Sequence, residues 1–163
     1  MSIVIVYDSM FGNTRSVAEA IATELGAHNS VRLLQVGEAK GLDLADPEVE
    51  LLIVGSPTRG FRPTPQISEF CEGLDERARN VPVAMFDTRI ALDTIHPVPL
   101  RWVVEAGGYA ADRIAQMLAH KGMAMQGTPA GFVVAGTEGP LMDGEIDRAR
   151  HWAHGLTLRA AAA

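Results

Sequence analysis

The sequence predicts an α/β fold in three layers, a doubly wound parallel sheet of five strands with helices on both faces. Three observations predict it. Short apolar runs rich in β-branched residues alternate with helical patterns along the whole chain. One run, Leu51–Gly55, is continuously apolar, as a strand covered on both faces must be. The first run passes straight into a small polar loop and then a helical pattern, the strand–loop–helix unit from which parallel sheets are built.

The elements follow in order. Ser2–Tyr7 reads as a buried strand, and Ser9-Met10-Phe11-Gly12-Asn13-Thr14 as the loop behind it. From Arg15 to Leu25, Val17, Ala18, Ile21, Ala22 and Leu25 recur at helical spacing. Val31–Val36 is the next strand, followed by a loop from Gly37 to Pro47. After Leu51–Gly55 comes a helix over Gln66–Leu74, then a strand over Val81–Phe86 with Pro82 near its start. A long loop is expected from Asp87 to about Gly108, and a helix beyond it carries Ala110, Ala111, Ile114, Ala115 and Leu118 on one face. The last strand comes in two pieces, around Ala124–Gln126 and Gly131–Val134. A final helix runs from Asp143 to about Leu158, with acidic residues at its positive end. Residues 1–159 are expected to form one domain and 160–163 a frayed tail.

Composition narrows the function classes. Hydrophobic residues at 47% and charged residues at 21% are ordinary for a soluble globular protein. No stretch approaches the roughly 20 apolar residues of a membrane span. The net charge of −6 disfavours nucleic acid as a partner. With Cys71 as the only cysteine, an internal disulfide and a Cys-based zinc site are excluded, and its helical setting suits a packed core thiol. A strand that begins at Ser2 leaves no room for a signal peptide, so a reduced, cytoplasmic protein is expected.

In doubly wound sheets, ligands bind beyond the carboxyl ends of the strands. Three loops lie there. In the first, backbone N–H groups and the helix dipole favour an anion. Gly12 allows close backbone approach, while Ser9, Asn13 and Thr14 offer side-chain donors. The plainer alternative is a polar loop capping its helix, with Thr14 or Asn13 at the N-cap. No Lys is present and G-x-x-x-x-G-K-[ST] is missing, so a mononucleotide phosphate suits this loop better than a triphosphate. The second, Gly55–Pro65, holds two glycines and three prolines and is therefore shaped rather than slack. Phe61 at its tip is either a wall for a flat ligand or a ring tucked on the surface. The third opens Phe86-Asp87-Thr88-Arg89 and continues through His96, Pro97, Pro99 and Trp102.

Together these loops resemble those of flavodoxin and the flavodoxin-like FMN proteins, over essentially the whole chain. Ser9–Thr14 is similar to the family's Thr/Ser-x-x-Gly-x-Thr phosphate loop. Val54-Gly55-Ser56-Pro57-Thr58 is similar to the start of its second flavin loop, and Phe86–Arg89 stands in the place of its third. The resemblance implies the strand order 2-1-3-4-5 and FMN as cofactor. It also implies that Ser9, Met10, Phe11, Gly12, Asn13 and Thr14 hold the phosphate. Pro57, Thr58, Arg59, Gly60 and Phe61 would line one side of the ring and Asp87, Thr88 and Arg89 the other. Gly60 is the candidate for the flexible peptide that meets the ring's N5.

Two departures stand out. No Tyr follows Asp87 at short range, which leaves Trp102 and Tyr109 as later candidates for the second stacking ring. Arg59, Arg62 and Arg89 face only Asp87 and Asp93 in the flavin loops, whereas electron-carrier flavodoxins are acidic there. Arginines favour the negative charge of a reduced flavin, so a less negative potential is expected. The alternative is that they are solvated or paired with helix acids such as Glu69 and Glu72. The leading expectation is electron transfer between a reductase and an acceptor, with no catalytic residue of the chain's own. The runner-up is an NAD(P)H-dependent FMN or quinone reductase, in which Arg59, Arg62 or Arg89 would meet an NADPH phosphate and His96 could donate a proton to a quinone. His151 and His154 read as surface or packing residues, and Glu138-Gly139-Pro140 as a turn. A receiver domain is disfavoured because Gly55-Ser56-Pro57 stands where it needs an Asp. A low-molecular-weight phosphatase lacks its C-x5-R.

Overall fold

Nine-residue β3 (Val49–Pro57) is the longest strand of the sheet and lies at its centre, between β1 (Ser2–Tyr7) and β4 (Val83–Ile90). Outside them stand β2 (Ser30–Gln35) and β5 (Ala130–Val134), giving the order β2-β1-β3-β4-β5, with every pairing parallel. The computed structural model describes residues 1–44, 48–94 and 98–160. Among the described residues the α-helices are α1 (Asn13–Gly26), α2 (Pro65–Glu72), α3 (Val98–Gly107), α4 (Ala110–His120) and α5 (Glu145–Ala160).

Each strand of the central three sends alternate side chains to opposite faces, and each face has its own core. Val4, Val6, Leu52, Val54, Val83 and Met85 meet Ile67 and Cys71 of α2 and Ala111, Ile114 and Leu118 of α4. Ile3, Ile5, Leu51, Ile53, Ala84 and Phe86 meet Val17 and Ile21 of α1 and Ala149 and Ala153 of α5. On that second face Phe86, Phe132 and Trp152 form a trio of edge-to-face rings with centroids 6.1–6.2 Å apart. Gly55 makes room for it: a Cβ there would fall 2.1 Å from Phe86 Cζ. Burial pushes the Cys71 thiol up to about 12, as befits the core thiol the sequence predicts.

Three expectations are corrected. The strand expected over Val81–Phe86 runs on to Ile90, so Asp87, Thr88 and Arg89 belong to β4 rather than to a loop. Their polarity suggests a loop, but each finds a side-chain partner that lets it stay in the sheet. The expected long loop to Gly108 contains α3, whose Pro99 sits in the first turn, where a missing N–H costs nothing. Neither Thr14 nor Asn13 is the N-cap of α1. That place is taken by Gly12, at φ +91°. The two-piece last strand is found as expected, Met125 forming an isolated parallel bridge to Val83 ahead of β5. α5 runs to Ala160; residues 161–163, and also His96 and Pro97, lie outside the described residues.

Candidate functional site

The chain enters β2 on one side of β1 and β3 on the other, so the connections leaving β1 and β3 part to opposite faces of the sheet. α1 packs on one face and α2 on the other. This parting opens a crevice at the carboxyl ends of the strands. A cleft lies there, lined by Ser9, Met10, Phe11, Asn13 and Thr14 after β1, Pro57, Thr58 and Arg59 after β3, Thr88, Arg89 and Ile90 of β4, and Val134 and Thr137 after β5.

Its first wall is the start of α1. Ser9 Oγ accepts hydrogen bonds from the N–H of Gly12 (3.1 Å) and of Arg15 (3.3 Å), which curls the loop round its own hydroxyl. Thr14 is buried and its hydroxyl shares a 2.8 Å hydrogen bond with that of Thr88, pinning α1 to β4. Asn13 donates from Nδ2 to the Glu138 carbonyl. The amides of Met10, Phe11, Asn13 and Thr14 have no acceptor among the described residues. No acidic residue stands in the first turn. Four unpaired N–H donors at a positive helix end, without a carboxylate to oppose them, fit a phosphate dianion held by neutral groups.

The second wall is a tight hairpin. Arg59 and Arg62 exchange backbone hydrogen bonds of 2.8 and 3.1 Å, and Gly60 (φ +53°) and Phe61 (φ +68°) make the turn. Two successive left-handed residues are the turn that fits strand twist, though a phenylalanine there is strained. The Phe61 ring lies on Gly107, where a Cβ would come within 2.5 Å of it. The ring is thus held against the end of α3, and Phe61 is not among the residues lining the cleft. Gly60 is at the tip with open space round it. Above the cleft the Arg59 guanidinium stands 5.6 Å from the centre of the exposed Phe11 ring. Thr58 lines the cleft too, and its hydroxyl accepts from the Ala110 N–H at the start of α4.

The third wall holds an arrangement that sequence reading did not foresee. Asp87 is fully buried and Arg89 grips it through Nε (2.6 Å) and Nη2 (2.7 Å). The same carboxylate accepts the Ala111 N–H at the start of α4 (2.9 Å). Burial pushes its pKa above the usual carboxylate range, against the pull of Arg89 and the amide. The Arg89 Cζ also stands over the Tyr109 ring, 3.6 Å from its centre. Its partner is therefore neither solvent nor Glu69 or Glu72, and of the expected trio only Thr88 and Arg89 reach the cleft. Asp87 lies behind them. Trp102, 76% exposed on α3, does not line the cleft, and Tyr109 lies beneath Arg89. His154 is a surface residue facing Glu24 at 3.8 Å.

A model of the flavodoxin domain matches residues 4–96. A flavodoxin from the domain Archaea superposes with a TM-score of 0.71 at 18% identity, covering 98% of each chain. Oxidised flavodoxin 1 from Bacillus cereus gives 0.70 at 15%, covering 97% of this chain and 98% of its own. The rubredoxin oxygen:oxidoreductase of Desulfovibrio gigas gives 0.70 at 21%. This chain spans 99% of its own length but only 36% of that one. At these identities the superpositions speak for the fold. No curated protein sequence matches the chain.

Proposed function

The chain belongs to the flavodoxin family, whose cofactor is FMN, and on that premise we propose that it carries electrons between a reductase and an acceptor protein. The observation behind this reading is the set of unpaired amides on Met10, Phe11, Asn13 and Thr14, gathered at the positive end of α1 inside the cleft of the switch point. These amides, with the hydroxyl of Ser9, would hold the phosphate of FMN; Thr14 and Thr88 would form the floor, and Pro57, Thr58 and Arg59 one flank of the ring. Bound there, FMN supplies the one- and two-electron redox chemistry. The chain's own residues bind it, orient it and set the charge around it. No helix among the described residues is long and apolar enough to cross a membrane.

A second reading, an NAD(P)H-dependent FMN or quinone reductase, draws on one observation. Among the described residues, Phe11 is the only aromatic side chain lining the cleft, and it is exposed. A ring face with no aromatic cover would admit a hydride donor. Both readings are tested by the visible spectrum of the purified protein, before and after anaerobic NADPH. Flavin bands that persist support the carrier, and bands that bleach at once support the reductase. A protein that shows no bands and takes up no added FMN overturns both.

A further inference from the structure

The cleft contains a cation that is fixed before any ligand arrives. We propose that Arg89 is a potential-setting residue, whose guanidinium favours the reduced, anionic form of the bound cofactor over the oxidised form. This rests on the FMN reading above.

Four observations carry it. Arg89 lines the cleft, while Asp87, its counter-ion, does not. The side chain cannot swing away: Asp87 holds Nε and Nη2, and the Tyr109 ring covers one face. The sheet makes space for it at Gly131, where a Cβ would lie 2.1 Å from Arg89 Nε. Its third nitrogen, Nη1, has no acceptor among the described residues.

The sequence alone suggests a different charge balance, three arginines against two aspartates. The structure shows that what counts is which end of a pair faces the ligand. Asp87 is fully buried and spreads its charge into the Ala111 amide at the start of α4, whereas Arg89 retains 21% exposure. The pair therefore presents its positive end to the cleft. A preorganised dipole of this kind in a part-buried wall acts on a developing charge without having to reorient. Reduction of the neutral ring by two electrons and one proton creates one negative charge. The electrons come from the donor protein, or from dithionite in a titration. Arginine at this place opposes nothing in the oxidised form and favours the product.

The test compares wild type with the double variant Asp87→Asn/Arg89→Gln, which removes the charges together so that neither is left buried alone, and with Arg89→Lys. Each is titrated with FMN and with riboflavin by fluorescence quenching, and the FMN complex is titrated with dithionite against a reference dye. The double variant should weaken binding of the reduced relative to the oxidised cofactor about tenfold, which lowers the two-electron midpoint by about 30 mV. Its preference for FMN over riboflavin should stay as in wild type, and Arg89→Lys should restore most of the shift. An unchanged midpoint overturns the proposal, as does a lysine variant that behaves like the double variant. A collapse of the preference for FMN at constant midpoint also overturns it and assigns Arg89 to the phosphate. Wild-type protein that binds neither flavin overturns the FMN reading itself.

Discussion

Two carboxylate–arginine pairs tie this fold together, and they differ in one respect. Asp87–Arg89 stands on β4 and reaches the start of α4 through the Ala111 amide. Glu145–Arg148 stands on the first turn of α5 and reaches the outer edge of β5. There Glu145 accepts the Val133 N–H at 2.6 Å and Arg148 donates to the Gly131 carbonyl. Each pair thus joins a helix start to a strand, with a two-pronged arginine and one backbone amide on the acid. What differs is water. Asp87 is fully buried, whereas Glu145 and Arg148 keep 12% and 48% of their side-chain surface. The Asp87 carboxyl is consequently pushed up, desolvation outweighing its partners, while the hydrogen bond from Arg148 holds the Glu145 carboxyl below the usual range. One set of contacts gives opposite signs because the cost of leaving water differs.

The largest expected effect breaks the buried pair from one side. Asp87→Ala leaves a mostly buried guanidinium without its counter-ion and takes an acceptor from α4. Unfolding in urea should show a loss of about 3–5 kcal/mol. Glu145→Ala should cost about 1 kcal/mol, since water can solvate the freed Arg148. Equal losses at the two sites would dissolve the distinction. Between these lies Gly131→Ala, whose new methyl must displace the Arg89 side chain at a cost of about 1–3 kcal/mol. Its loss should shrink to a fraction in the Asp87→Asn/Arg89→Gln background, where the side chain is free to move.

The same contrast explains how far the sequence could be read. The sheet and most helices rest on local signals, apolar runs and helical spacing, and these were legible, while the strand order came with the resemblance to flavodoxin. So was the small polar loop at the start of α1, because its donors belong to one contiguous segment from Ser9 to Thr14. Asp87 and Arg89 were not legible as strand residues. Their place depends on contacts from far along the chain, Ala111 and Tyr109 on one side and Gly131 on the other. Polar residues at the end of an apolar run look like a loop until partners appear that let them stay buried. Phe61 shows the converse: its aromatic character suggested a ligand wall, and only Gly107, 46 residues away in sequence, reveals a bed for the ring. Helix α3 was hidden by prolines that mark loops as readily as first turns.

The smallest expected effect is also the sharpest, because it has a sign at each site. Glu145 has a folded pKa below its unfolded one, so its stabilisation is fully present above the unfolded value, near 4.5, and is lost as pH falls through the folded value. Asp87 has a folded pKa above its unfolded one, so its ionised form is penalised at neutral pH, and that penalty is relieved as pH falls toward the folded value. Unfolding free energies of wild type, Glu145→Gln and Asp87→Asn, measured by urea titration from pH 7 down to pH 4, should therefore diverge. The advantage of wild type over Glu145→Gln should shrink on acidification, while its balance against Asp87→Asn should move in favour of wild type. Slopes of the same sign would mean that Arg89 and the Ala111 amide outweigh desolvation at Asp87, and that the two pairs are one device in two places.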